Sequence, residues 1–244
     1  MLLASTLATP LATPPAHAQQ RERRAPPPRP AGQSYANSSA LLVEEIALSR
    51  AAREDGQWAA FAQKAAEEAV MFADQPVLAQ PWLKGRANPA APMTWSPHSL
   101  FMACDGRSGA STGAMQEAGG TAGYYTTVWQ NLEKPRAKQP KWRWVLTHRA
   151  PLAQPREGED MIESRTAVCT GDPKALLGDI PMGPPPKGSE PVAPQPAGAR
   201  ASADGTMVWR WNARSDGSRA VTIELWNGSA FETVVSDTVP GTAS

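Results

Sequence analysis

The sequence predicts an α+β protein in which two N-terminal helices precede a curved antiparallel sheet and a small three-stranded β meander follows. Two observations lead to this prediction. Apolar residues recur at helical spacing up to about residue 69, whereas from Thr94 onward apolar and polar residues alternate with the period of a strand. Clusters of proline and glycine separate the two kinds of segment and mark the turns.

Both predicted helices have one apolar stripe. The first begins at Ser38 or Ser39 and ends at Gly56, because glycine tolerates the left-handed turn that ends a helix. Its stripe is predicted to consist of Val43, Ile46, Ala47 and Ala51. The second helix begins near Gln57, with a stripe of Trp58, Phe61, Ala65 and Ala69, and a short strand, 70–72, follows it.

Four longer strands are predicted at 98–104, 110–116, 123–131 and 141–150. The last of them carries the clearest pattern, because side chains alternate between the two faces of a strand. One face is predicted to point inward and carries Trp142, Trp144, Leu146 and His148. The opposite face carries Arg143, Val145, Thr147 and Arg149.

Residues 40–152 resemble the SnoaL-like, nuclear-transport-factor-2-like superfamily. The segments that carry the resemblance are EEIALSRAAREDGQWAAF, AVMF, WLKGR, YYTTVWQ and KWRWVLTHRA. The resemblance implies a cone-shaped sheet that wraps the helices, an interior pocket lined by apolar and aromatic side chains, and dimerisation through the outer sheet face. The superfamily includes isomerases, cyclases, dehydratases, binding proteins and assembly modules, so the resemblance implies little about activity.

The chain is predicted to divide into five parts. Residues 1–18 are apolar and end in Ala-His-Ala, which is typical of a cleaved signal peptide, although the usual charged leader is missing. The true start then lies upstream or the signal is weak; the alternative is a disordered tail. A Pro/Arg-rich linker, 19–38, the cone domain, 39–152, a proline-rich connector, 153–202, and the meander, 203–239, complete the division. An exported product would be periplasmic or secreted.

The predicted meander has the strongest local signal in the chain. Asn227-Gly228 lies between two alternating segments, and this dipeptide favours the tight turn of a hairpin. Met207, Trp209 and Trp211 share one predicted face, as do Val221, Ile223 and Leu225. Because about forty residues bury too little surface to be stable alone, we expect the meander to dock on the cone, on a second copy or on a partner.

Composition excludes several functions. The net charge of +1 provides no field for holding nucleic acid. No run of apolar residues after the first 18 reaches the roughly 18–20 that span a bilayer. His and Cys residues show no zinc-ligand spacing and no phosphate loop is present, so neither a metal nor a cofactor is expected.

The two cysteines, Cys104 and Cys169, form an even pair that an oxidising compartment would allow to cross-link. A disulfide would tie the cone to the segment after it. The alternative is two separate thiols, with Cys104 packed as a small apolar residue.

The leading functional prediction is an exported protein that binds a small hydrophobic or aromatic molecule, or serves as an accessory protein. The residues predicted to line its pocket are Trp58, Phe61, Trp82, Tyr125, Trp142 and Trp144. Two alternatives remain open. One is an acid–base enzyme acting on a hydrophobic substrate, with His148 and Asp74 as the catalytic pair. The other is an interaction module of the cell envelope that uses the meander to recruit a partner.

Overall fold

The architecture is α+β, as the sequence predicts. The computed structural model describes residues 34–133, 140–158 and 161–241. The helices are α1 (Ser38–Glu54), α2 (Gln57–Lys64) and α3 (Ala79–Leu83). The strands are β1 (Ala65–Phe72), β2 (Pro76–Leu78), β3 (Thr94–Met102), β4 (Ser108–Gln116), β5 (Ala122–Asn131), β6 (Trp142–Pro151), β7 (Glu163–Thr166), β8 (Ala197–Ala201), β9 (Met207–Ala213), β10 (Arg219–Trp226) and β11 (Phe231–Val239).

The larger of two sheets has seven strands in the order β2-β1-β6-β5-β4-β3-β7. Strands β3 to β6 pair antiparallel in chain order and correspond to the four longer strands predicted between residues 98 and 150. The sheet as a whole is mixed, because β1 pairs parallel to β6 and β7 pairs parallel to β3. We call the face that contacts α1 and α2 the inner face and the opposite one the outer face.

The second helix is shorter than predicted. It ends at Lys64, and β1 begins at Ala65, where the prediction continued the helix to Ala69. The alanine- and glutamate-rich stretch favours a helix locally, but pairing with β6 overrides this weak preference. Gln80 completes the helix end, because its side-chain amide donates to the free carbonyls of Ala62 and Ala65.

The buried side of α1 also differs from the prediction. Val43 and Ile46, placed in the predicted stripe, are 61% and 58% exposed. The residues that face the sheet recur at positions 41, 45, 48 and 52, which is a stripe of the same period rotated around the helix: Leu41, Glu45, Leu48 and Ala52. A glutamate in its centre hides this stripe from a search for apolar residues.

The smaller sheet has four antiparallel strands in the order β11-β10-β9-β8. Three of them correspond to the predicted meander. The fourth, β8, lies in the predicted connector and pairs with β9 along its length. Its sequence, AGARA, carries small residues without alternation, so nothing in it indicates a strand.

The four-stranded sheet packs on the outer face of the seven-stranded sheet. Val128 and Leu146 from the larger sheet and Trp209 and Ile223 from the smaller one are at most 1% exposed and belong to one apolar cluster. Of the three docking surfaces expected for the meander, the chain uses its own cone. The outer face through which the resemblance implies dimerisation is therefore covered here, and a homodimer stays a prediction that needs another surface.

A disulfide and two hydrogen bonds fix the turn after β3: the disulfide ties it to the segment after β7, and the hydrogen bonds tie it to the smaller sheet. Cys104 and Cys169 form a disulfide with a Cα–Cα distance of 5.4 Å. Next to it, the Cys104 amide donates to Thr206 Oγ1 at 2.9 Å, and the Asp105 amide donates to Asp204 Oδ2 at 2.7 Å. The turn between β3 and β4 is thus held against the turn between β8 and β9.

Over the described ranges, 34–133, 140–158 and 161–241, none of the helices combines the length and the apolar character that crossing a bilayer requires.

A chain ending at Ala150 should lose solubility and stability, because truncation uncovers the outer face. Exposing Val128 and Leu146 alone costs about 3–6 kcal/mol in transfer free energy. Thermal unfolding and size-exclusion chromatography of the truncated and full chains measure the loss. Equal melting temperatures and equal monomer fractions would contradict the docking of the smaller sheet on the cone.

The Asp105→Asn variant should be more stable than the wild type above pH 6. Burial, and then the charge of Asp204, raise the pKa of Asp105 from 3.8 to about 6. The folded state favours the protonated carboxyl, so this group stabilises the fold fully below pH 3.8, and the stabilisation is lost as the pH rises through 6. The loss in the free energy of unfolding is up to about 2–3 kcal/mol. Denaturant titrations from pH 4 to 8 should show the advantage of the variant disappearing at pH 4. A constant difference, or the same trend in the exposed control Asp179→Asn, would contradict this assignment.

Candidate functional site

Aromatic side chains fill the inner side of the cone. Phe61 is at the centre, with its ring centroid 6.3 Å from that of Trp58, 5.8 Å from Trp95 and 6.0 Å from Trp144, each in an edge-to-face arrangement. Tyr125 continues the stack beyond Trp95. Edge-to-face contacts bring a positive ring edge to a negative ring face, so the rings stabilise one another beyond the area that they bury.

Glu45 of α1 lies beneath this stack and is 2% exposed. Its carboxyl accepts hydrogen bonds from Trp95 Nε1 at 2.9 Å, from Trp129 Nε1 at 2.7 Å and from Ser111 Oγ. Burial raises the pKa of Glu45, and the three donors partly oppose that rise. This carboxyl thereby holds two indoles and three strands in place against α1.

The phenol of Tyr125 is a buried polar group without a satisfied hydrogen bond. It lies near Ser111, but no partner of normal geometry meets its hydroxyl among the described residues. Burial, followed by the charge of Glu45, raises the pKa of Tyr125 well above its usual value. The phenol therefore stays protonated and keeps a free donor inside the cone.

A β-bulge in β6 corrects the predicted faces of that strand. Trp144 pairs with Trp129 and Leu146 pairs with Val128, so Val145 has no partner in β5. One unpaired residue reverses the alternation beyond it. Trp142 and Trp144 face inward as predicted, but Leu146 and His148 turn to the outer face, while Thr147 and Arg149 turn inward.

His148 consequently lies between the two sheets. It is fully buried, and its Nε2 accepts a hydrogen bond from Arg219 Nε at 3.2 Å. Burial and then the charge of Arg219 lower the pKa of His148 to about 3, so the ring is neutral at physiological pH. Asp74 is exposed in the turn between β1 and β2. The structure therefore does not bring the predicted catalytic pair, His148 and Asp74, together inside the cone.

At the solvent-exposed end of the aromatic stack, two neighbouring tryptophans each have an arginine stacked on them. Trp58 and Trp82 are half-buried, with ring centroids 5.5 Å apart. The guanidinium of Arg149 lies 4.9 Å from the Trp58 ring centroid, and that of Arg86 lies 3.4 Å from the Trp82 centroid. We call Trp58, Trp82, Arg86 and Arg149 the mouth cluster. Each guanidinium stacks on an indole face, which stabilises both groups.

The six residues predicted to line a pocket fall into two groups. Trp58 and Trp82 belong to the mouth cluster and reach solvent. The remaining four are at most 4% exposed and pack within the core: Phe61, Tyr125, Trp142 and Trp144. The predicted lining thus forms one aromatic core with a solvent-exposed end, in place of an open hollow along its length.

Sequence reasoning missed Glu45 and Arg149. Glu45 had a signal in its spacing, because positions 41, 45, 48 and 52 share one helical face. Arg149 had none, because its inward direction depends on a bulge that no residue type in the strand indicates.

Two surface cavities have linings that include no residue of the mouth cluster. A groove of about 380 Å³ at the ends of β3, β4 and β5 is lined by Trp95, Met115, Gln116 and Pro155, among others. A cavity of about 220 Å³ at the ends of β9 and β10 is lined by Arg214, Ser218 and Arg219, among others. Within the described residues, no group of three or more His, Cys, Asp or Glu side chains is placed to hold a metal ion.

Comparison with known proteins gives weak likenesses only. No protein-family model matches the chain, and no curated protein matches it. Similar solved structures include a cystatin-like fold protein from Burkholderia xenovorans LB400, with 12% identity and a TM-score of 0.38 over 48% of this chain and 93% of that chain. Another, titled a "putative aromatic ring hydroxylase" from Novosphingobium aromaticivorans DSM, has 13% identity and a TM-score of 0.34 over 50% of this chain and 92% of that chain. At these scores neither likeness carries an argument about relationship or function.

Replacing Glu45 by alanine should destabilise the fold by about 2–4 kcal/mol, because it removes the acceptor of the fully buried Trp129 indole and of the partly buried Trp95 indole. Glu45→Gln should cost less, since one carbonyl oxygen remains. Denaturant unfolding followed by tryptophan fluorescence measures both. The neighbouring variant Glu44→Ala is the control: it breaks the partly buried pair with Lys64 and should cost about 1 kcal/mol or less. Equal losses at 44 and 45 would contradict the role of Glu45.

Proposed function

We propose that this chain is an exported small-molecule-binding or accessory protein, and that its ligand is a hydrophobic or aromatic molecule held at the mouth cluster. The SnoaL-like resemblance of residues 40–152 favours a ligand site at this end of the cone. The observation that carries the proposal is the pair of half-buried indoles, Trp58 and Trp82, at the solvent end of a buried aromatic stack. Flat apolar surface that reaches solvent there offers a stacking partner for a ring.

The positions of His148 and Glu45 fit a ligand-binding protein better than an enzyme that transfers protons. A general base must come within hydrogen-bond reach of its substrate and must have a pKa near the working pH. His148 meets neither condition, because it is buried between the sheets and its pKa is about 3. Both carboxyl oxygens of Glu45 are already engaged by protein donors.

An acid–base enzyme is the second candidate, and the environment of Glu45 favours it. A buried carboxyl of raised pKa next to an unpaired phenol, Tyr125, is a combination found where acids are tuned for catalysis. In that version Glu45 and Tyr125 replace His148 and Asp74 as the residues to test. Glu45→Gln tests this version of the enzyme: turnover that survives the substitution would exclude Glu45 as the catalytic acid, and turnover that is lost while ligand binding persists would support it.

Export is part of the proposal, and the disulfide between Cys104 and Cys169 supports it. Disulfides persist in oxidising compartments and are rare in the cytosol. Recruitment of an envelope partner by the smaller sheet is less favoured, because the apolar face of that sheet is already occupied by the cone.

Replacing Trp58 by leucine should remove most of the thermal stabilisation by an aromatic ligand, because a ligand that binds the native state raises the melting temperature by mass action. A screen of fused-ring aromatic compounds by thermal shift, with the wild type and Trp58→Leu in parallel, measures this. Trp211→Leu, which removes another half-buried tryptophan in the smaller sheet, is the matched control. A ligand whose shift is the same in Trp58→Leu as in the wild type would place binding elsewhere.

A further inference from the structure

We propose that the ligand is an anion, namely a flat aromatic molecule carrying a carboxylate, with Arg149 as the residue that pairs with the charge and Trp58 as the residue that stacks on the ring. This inference rests on the proposed function and specifies the chemistry of the same site. It comes from the unmet bonding capacity of one half-buried guanidinium.

The protein provides acceptors for few of the N–H donors of Arg149. A guanidinium has five N–H donors. The described contacts of this side chain are one hydrogen bond from Nη1 to the sulfur of Met93, at 3.2 Å, and the stacking on Trp58. A thioether is a weak acceptor. Nε and Nη2 are not among the buried side-chain atoms that lack partners, so these donors reach solvent and stand open to a ligand.

The charge of Arg149 is also uncompensated nearby. None of the ion pairs found in the described residues includes it. The carboxylate whose charge acts on it, Glu117, is exposed and lies beyond ion-pair distance. Burial lowers the pKa of Arg149, which reflects the cost of keeping a cation partly out of water. A bound anion would offset that cost, whereas a neutral ligand would add to it by excluding more water.

The geometry calls for charge and ring in the same molecule. The guanidinium lies over the Trp58 ring, with its carbon 4.9 Å from the ring centroid, so a positive charge and a flat apolar surface stand next to each other. Arginine pairs with carboxylates through two parallel N–H···O bonds, and this requires the planar fork that lysine lacks. The indole of Trp58 meanwhile provides a face for the attached ring.

A ligand series on the full-length wild type tests the proposal without any substitution. The probes are 1-naphthoate, its neutral amide 1-naphthamide, and cyclohexanecarboxylate, which has the charge without the aromatic ring. Isothermal titration calorimetry should show naphthoate binding about ten- to a hundredfold more tightly than naphthamide, with cyclohexanecarboxylate weaker than naphthoate.

Each of the other outcomes would overturn a defined part of the proposal. If naphthamide binds as tightly as naphthoate, the charge inference is wrong but an aromatic site remains. If cyclohexanecarboxylate binds as tightly as naphthoate, stacking on Trp58 is wrong. If none of the three binds, both this inference and the proposed function fail.

The variant Arg149→Met keeps the apolar stem of the side chain and removes its charge. It should bring the affinity for naphthoate down to that for naphthamide and leave naphthamide binding within about threefold of the wild type. Arg143→Met is the matched control, since Arg143 is a half-buried arginine on the same strand, about 20 Å from Arg149 along β6. Unfolding curves without ligand show whether Arg149→Met is folded; if it is not, the wild-type series decides. Undiminished selectivity for naphthoate in a folded Arg149→Met would overturn the assignment to Arg149.

Discussion

The arrangement of the cone depends on one carboxyl group. Glu45 links α1 to β3 through Trp95, to β4 through Ser111 and to β5 through Trp129. An indole N–H can only donate, so the buried indole of Trp129 and the partly buried indole of Trp95 each need an acceptor. Glu45 meets that need from the helix side. The orientation of Trp95 and the packing of Phe61 and Tyr125 follow from it, and these rings occupy the interior that could otherwise have stayed open.

Much of the architecture could be predicted from the sequence, because strand alternation is a local property. Strands β3 to β6 and β9 to β11 lie where alternation and turn residues indicate them. Asn227-Gly228 does lie between β10 and β11, but the connection has four residues, 227–230, where the sequence predicts a two-residue turn. The features that escaped prediction depend on contacts distant in sequence. Pairing with β6 ends α2 at Lys64, pairing with β9 makes a strand of β8, and the buried side of α1 is defined by donors on three strands. No propensity carries that information.

At the candidate site, a shift of one residue in the pairing of β6 changes which side chains face the inner side of the cone. Without the bulge at Val145, the cone interior would receive His148, which exchanges protons, and Arg149 would face outward. With it, a permanently charged group enters the mouth, and the imidazole is sealed between two sheets where it stays neutral. A strand of unchanged composition thereby presents an arginine to the inner face where its sequence suggested a histidine.

The smaller sheet also determines when the chain can complete its fold. Asp237, on β11, accepts a hydrogen bond from Thr126 in the middle of β5, 111 residues earlier, and pairs with Arg156, 81 residues earlier. Contacts between residues far apart in sequence thus close the outer layer. Contacts of such long range form slowly, because a large loop must close before they contribute. A chain emerging from its N-terminal end therefore exposes the outer face of the β3–β6 meander until β11 has emerged. During that interval, binding partners that shield apolar surface would protect the chain from aggregation.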